Sequence, residues 1–205
     1  MHLFKTPPIV KKLFFNRKWG FPLNKNVVYL TFDDGPHPAI TPWVLDELNK
    51  NQIKACFFCV GENVARYPEL FQRILKEGHQ VGNHTMHHDN ALKTSKKNYF
   101  NSIESAKALI PSTFFRPPYG RLQLSREKSI LKNFTIVMWS WLSYDFDQQL
   151  PISVILENAK MNIHGGEILV FHDNPKIEAR QKELLPQFIA LIQEKKLEFQ
   201  LLPVD

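Results

Sequence analysis

The stretch Val27-Val28-Tyr29-Leu30-Thr31-Phe32-Asp33-Asp34-Gly35-Pro36 decides the fold. Residues 27–32 are β-branched, aromatic and apolar, and they run into two acids and a Gly-Pro pair, so they read as a strand feeding a turn. A helix should follow. Thr41 is a good N-cap, Pro42 suits the first helical position, and Val44, Leu45 and Leu48 recur at helical spacing. Downstream the pattern repeats. A strand is expected over 53–60, then a helix opened by Tyr67-Pro68, striped by Leu70, Phe71, Ile74 and Leu75 and ended by Gly78. A short extended piece over 80–82 precedes a helix over 99–109 that Pro111 stops. Phe114-Phe115 is a strand, 125–131 a helix, 135–141 a strand, 152–163 a helix, 167–171 a strand, 184–195 an amphipathic helix and 199–202 a last strand. Such alternation implies a mainly parallel sheet, as an α/β barrel or a doubly wound sheet. In both, catalytic groups collect at the carboxyl ends of the strands.

Composition narrows the class. The chain has 205 residues, 43% hydrophobic and 22% charged, which is enough for one domain with a full core. The densest apolar run, over 134–142, is far short of the roughly 18 residues of a membrane span. The net charge of +6 is localised: residues 1–25 hold Lys5, Lys11, Lys12, Arg17, Lys18 and Lys25 with no acid. A neutral domain over 26–205 therefore carries a basic arm, which is not the charge distribution of a nucleic-acid binder. The arm is also rich in Phe and Leu. It reads as a wrap packed on the domain, with contact to an anionic membrane surface as the competing reading. Cations interrupt its apolar stretches and no cleavage site follows, so no signal peptide is read; a cytoplasmic location, or the cytoplasmic membrane face, is expected rather than secretion.

Cys56 and Cys59 form a Cys-x-x-Cys pair inside the apolar strand 53–60. Residues three apart in a strand point to opposite faces, and no second pair completes a zinc site. Core packing is expected of both.

Chemistry-bearing residues stand at or just after the strand ends: Asp33 and Asp34, His84 and His88, Arg116, Asp145, and His172. One such residue would mean little, but five positions in one phase of the alternation mark a site. Histidines four apart can hold one ion from one turn. Thr85 stands where a zinc metalloprotease needs Glu, which disfavours that class. Two imidazoles and one carboxylate leave open positions on Zn²⁺, as a catalytic site requires. Of the two acids, one can ligate while the other takes a proton from a water whose pKa the metal lowers from ~16 toward ~7.

These residues resemble a known family. Thr31-Phe-Asp-Asp-Gly-Pro36, His84-Thr-Met-His-His88, Arg116-Pro-Pro-Tyr-Gly120, Trp139-Ser-Trp-Leu-Ser-Tyr-Asp145 and Ile168-Leu-Val-Phe-His-Asp173 stand in the order of the five motifs of the polysaccharide deacetylases. This is the NodB-type domain of carbohydrate esterase family four. Ala55-Cys-Phe-Phe-Cys-Val-Gly61 and Glu77-Gly-His-Gln-Val-Gly-Asn-His84 are similar to it as well, and the likeness spans about 27–202. It implies a distorted (β/α) barrel and a metal-dependent deacetylase using Zn²⁺, or another divalent metal such as Co²⁺ or Ni²⁺. Position by position it implies Asp34, His84 and His88 as metal ligands and Asp33 as the base. Arg116 would orient Asp33 and keep it ionised. The backbone N–H of Tyr119 would stabilise the oxyanion, and His172 would be the acid. Tyr119, Trp139, Asp145, Phe146 and Val170 would make the substrate contacts.

Three positions depart from the family pattern. Leu142 stands where an acid often supports the catalytic histidine, so His172 is tuned by Asp145 or by nothing charged. Phe146 replaces a Trp, and Val170 a Leu, both preserving apolarity. His87, beside His88, is a second sterically possible ligand. The activity expected is removal of N-acetyl groups from an amino-sugar-containing glycan: peptidoglycan, a chitin-like oligomer or a lipid-linked sugar. The same site could serve an O-acetyl esterase on xylan-like glycans or a deformylase. A catalytically silent glycan-binding domain has no reason to retain all five groups. The partners expected are an acetylated glycan and, through residues 1–25, a membrane surface, with no nucleic acid and no second copy of the chain.

Overall fold

The computed structural model describes residues 2–22 and 26–204; Lys25 of the basic arm lies outside them. Strand β1 (Val27–Asp33) is central and buried along its whole length. It pairs in parallel with β2 (Cys56–Cys59) and with β7 (Ile168–His172), which puts Asp33 level with Phe58 on one side and His172 on the other. Next come β3 (Gln80–Asn83), β4 (Phe114–Phe115) and β5 (Thr135–Ile136) beyond β2, while β6 (Trp141–Leu142) lies beyond β7. The short β8 (Glu198–Phe199) pairs with the start of β1.

The strand expected over 135–141 is split, and the split shapes the molecule. Its first half pairs with β4 and its second with β7, the two sides of the sheet. Between the halves, Val137 N donates to Phe115 O at 2.9 Å and Ser140 N to Ile168 O at 3.0 Å. One segment thus crosses from one edge of the curled sheet to the other, which gives the distorted barrel. Side chains alternate accordingly. Tyr29, Cys56, Phe58, Phe114, Val137 and Ile168 form a cluster inside the curl. Val28, Leu30, Phe32, Phe57 and Cys59 face the helices. Cys56 and Cys59 are therefore on opposite faces, free and buried, and burial pushes both thiols well above their ordinary pKa.

The helices are α1 (Pro8–Leu13), α2 (Thr41–Lys50), α3 (Gly61–Arg66), α4 (Pro68–Lys76), α5 (Lys96–Lys107), α6 (Leu124–Ile130), α7 (Ile152–Asn162) and α8 (Glu178–Glu194). Residues 61–66 form the short helix α3, which is not among the expected elements. The last helix starts six residues before the expected 184 and carries Pro186 inside it; Leu184, Leu185, Phe188, Ile189 and Ile192 are buried along it, and that packing holds the helix through the proline. Thr41 is not a cap. Ile40 holds the N-cap position of α2, and the Thr41 hydroxyl instead donates to Asp173 Oδ2 at 2.5 Å. Residues 2–22 run along the barrel. Phe4 and Trp19 are buried, Arg17 pairs with Glu127 at 2.8 Å with both side chains buried, and Lys5 pairs with Glu167 at 2.6 Å. Among the described residues no helix is long and apolar enough to cross a membrane.

Candidate active site

The carboxyl ends of β1 and β7 and the loops after β3 and β4 open into one cavity of about 660 Å³. Asp33 is the last residue of β1 and takes the inward side of the alternation with Tyr29 and Thr31. Its Oδ1 lies 2.6 Å from Arg116 Nη1. Arg116, just after β4, is fully buried and spends four donated hydrogen bonds locally: to Asp33, to Thr31 Oγ1 (2.8 Å), and from Nε and Nη2 to the carbonyls of Val137 (3.1 Å) and Met138 (3.0 Å). Its guanidinium also lies 4.0 Å over the Phe58 ring. A buried guanidinium with this many partners is rigid, and it fixes the Asp33 carboxylate.

Asp34, His84 and His88 converge beside Asp33, with one donor atom of each within 4.8 Å of the others. His84 Nδ1 is 2.8 Å from the Arg116 carbonyl, which can only accept, so Nδ1 carries the proton and the Nε2 lone pair turns toward Asp34 Oδ1, 3.8 Å away. His88 Nε2 is 3.2 Å from the same oxygen, and its Nδ1 is 3.2 Å from the Tyr119 hydroxyl. Burial lowers the His84 pKa to about 4, so this imidazole is neutral and a competent ligand at neutral pH. Burial would raise the Asp34 pKa, but the hydrogen bond to His88 and the neighbouring imidazoles hold it well below the usual carboxylate range. Two imidazole nitrogens and a carboxylate oxygen aimed at one point fit a divalent transition-metal ion. His87 is turned away, its Nδ1 3.2 Å from Glu62 Oε2.

The backbone is bent to make this possible. Asp34, His88 and Tyr119 all sit in the left-handed region, at φ 84°, 54° and 60°. Such conformations are costly for residues with a Cβ, and they cluster at functional sites. Beside Tyr119, Gly120 is needed for a close approach: a Cβ there would stand 2.4 Å from the Trp139 ring.

His172 stands at the end of β7, level with Asp33 on the neighbouring strand. Its ring Nδ1 lies 2.7 Å from Asp145 Oδ1, and its backbone N donates to Asp145 Oδ2 at 2.7 Å. Burial would lower the His172 pKa; the Asp145 carboxylate, by charge and hydrogen bond, with Asp34 and Asp33 farther off, raises it to about 10. The structure corrects one expectation here. Asp145 is fully buried with both oxygens on His172 and is not among the residues that line the cavity, so it stands behind the histidine rather than at the wall where a substrate contact was expected. Trp139, Phe146, Val170 and Tyr119 do line the cavity, Phe146 with its ring edge-on to His172 at 5.3 Å, and Leu142 joins them as an apolar wall.

Other neighbours carried no sequence signal. Asn174 Nδ2 donates to Asp34 Oδ2 at 3.3 Å, and Asn63 Nδ2 to the Asp34 carbonyl at 2.8 Å. Asp173 accepts from Gly35 N (2.8 Å) as well as from Thr41, tying the turn after β1 to β7. Lys93 and Arg121 also line the cavity. An asparagine or a cation in a loop looks the same in sequence whether or not it faces a site.

The family profile "Polysaccharide deacetylase" matches residues 21–138. Two peptidoglycan-N-acetylglucosamine deacetylases of Bacillus cereus are 37% identical over 161 residues and 36% identical over 162. The matches cover 75% and 76% of this chain, and 58% and 76% of those proteins, so the chain spans little more than half the length of the first. Among solved structures, the Bc1960 peptidoglycan N-acetylglucosamine deacetylase is similar with a TM-score of 0.87 and 32% identity, over 97% of this chain and 96% of that one.

Proposed function

The chain belongs to the polysaccharide deacetylase family, and on that footing we propose that it hydrolyses N-acetyl groups of an amino-sugar-containing glycan. The observation that carries the reading is one pairing: a carboxylate fixed by Arg116, Asp33, and an imidazole held by Asp145, His172, stand level on neighbouring strands in one cavity with the Asp34, His84 and His88 cluster. Amide hydrolysis needs these opposed functions together.

Asp34, His84 and His88 would hold a divalent metal, zinc being the ion their donor set suits. Bound there, such an ion is a Lewis acid that polarises the acetyl carbonyl and makes water easier to deprotonate. Asp33, pinned by Arg116, takes a proton from the attacking water as its oxygen bonds to the carbonyl carbon. The Tyr119 backbone N–H stabilises the oxyanion that develops. His172, protonated at neutral pH because Asp145 raises its pKa, gives its proton to the departing nitrogen as the C–N bond breaks. Acetate and a free amine result. Trp139, Phe146, Val170 and Leu142 make the apolar wall that suits the acetyl methyl and keeps bulk water out.

The test is acetate release from N-acetylglucosamine oligomers and from peptidoglycan, with chelator-stripped protein assayed with and without added Zn²⁺. Zinc-restored acetate supports the reading. Acetate from O-acetylated xylan but not from any amide would move the substrate to esters, and silence on every glycan by a protein that still binds zinc would overturn glycan deacetylation.

A further inference from the structure

The cavity's mouth is charged differently from its floor. Asp33 and Asp34 are the acids among its lining residues, and both are matched, the first by Arg116 and the second by two imidazoles. Lys93, in the loop between β3 and α5, and Arg121, one residue past the Pro118–Gly120 turn, line the same cavity and are exposed. Neither side chain makes a hydrogen bond or ion pair with any described residue. Some cations elsewhere are paired on their own surface, Arg66 with Glu62 and Lys182 with Glu178, and others, Lys12, Lys96 and Lys97 among them, are exposed with no side-chain partner in the described residues but do not line this cavity. Two loops far apart in sequence thus bring two unmatched cations to the rim of one cavity.

A neutral sugar gives such a pair nothing to neutralise. An anionic substituent does, and a guanidinium and an ammonium lining one cavity suit the oxygens of a carboxylate or phosphate. We propose that Lys93 and Arg121 form an anion subsite that selects glycans bearing a carboxylate or phosphate on the sugar flanking the acetylated one. This rests on the deacetylase reading for what is cleaved, but not for what is bound.

The experiment compares three disaccharides carrying the same acetamide: a neutral one, one with a carboxylate on the neighbouring sugar, and one with a phosphate there. Binding is measured by titration calorimetry and turnover by acetate release, for the wild type and for Lys93→Gln/Arg121→Gln. Both positions are exposed, so the variant should fold. The expected result is that at least one anionic ligand binds better than the neutral one. The double substitution then weakens that binding and raises its KM by roughly fivefold or more, as expected of partly exposed charge pairs. The neutral ligand should change less than twofold, and 0.5 M salt should erase the preference in the wild type. Which anionic ligand responds tells carboxylate from phosphate. The subsite is overturned if the variant binds both anionic ligands as the wild type does, or if it loses the neutral one equally. A binding preference without any acetate release would uphold the subsite while sinking the deacetylase reading.

Discussion

Both carboxylate oxygens of Asp145 are engaged by one residue, His172, one by the ring Nδ1 and the other by the backbone N–H, each at 2.7 Å. This bidentate grip settles the ring's orientation: Nδ1 is held by the acid and Nε2 is left free to face the cavity. Tyr144, at φ 54°, supplies the backbone turn that brings Asp145 round to β7. Leu142, three residues earlier, is left to the apolar wall.

Asp145→Asn keeps the shape of that grip but removes its charge. The His172 pKa, now about 10 through the carboxylate, should fall. The proton donor must be protonated to act, so the alkaline limb of the kcat/KM profile should move to lower pH by a unit or more. Stability changes with the same sign. A histidine whose pKa is raised on folding contributes fully below its unfolded value of about 6.5, and that contribution is lost as pH rises toward 10. The variant should therefore lose most stability in acidic and neutral solution, which thermal melts across pH would register.

Asp33→Asn should reduce kcat by about 10²–10⁴-fold while the protein keeps its metal, because Asp33 Oδ1 is committed to Arg116 and stands outside the ligand cluster. Turnover and metal content, measured on the same sample, check the two halves of this statement. Retained activity would remove Asp33 as the base.

His84→Ala should abolish stable metal binding, whereas His87→Ala should leave it intact, since His87 lies against Glu62 away from the cluster. Elemental analysis after dialysis separates the two variants. Full zinc content in His84→Ala would break the ligand assignment.

Phe4→Ala should show that the start of the chain is part of the core. The Phe4 ring is buried, stacked on Trp141 at 6.0 Å and edge-on to Tyr144 at 5.2 Å. Its loss should cost about 3 kcal/mol and lower Tm by roughly 6–12 °C. Phe15→Ala, at a ring that is 77% exposed, should change stability by less than about 0.5 kcal/mol. Equal effects in calorimetry would contradict this division of the arm.

Much of the site was legible because strand–helix alternation carries its own geometry. Once 27–32, 114–115 and 167–171 read as parallel strands, Asp33, Arg116 and His172 had to fall at one edge. Element boundaries were less legible where partners decide them. The helix α8 runs through Pro186 because its apolar face is buried, and 135–142 breaks into two strands because it changes neighbours midway. Thr41 looked like a cap until Asp173, 132 residues away, claimed its hydroxyl.

By itself the sequence determined the fold class, the edge at which the chemistry gathers and the residue types available there, because side-chain periodicity and covalent order are local properties. Only the tertiary structure decided which neighbour each of those residues serves: Asp145 on His172, Asn174 on Asp34, His87 against Glu62, and Lys93 with Arg121 on one cavity. Those choices depend on left-handed turns at single residues and on the register of strands distant in sequence, and neither is encoded in any one stretch of chain.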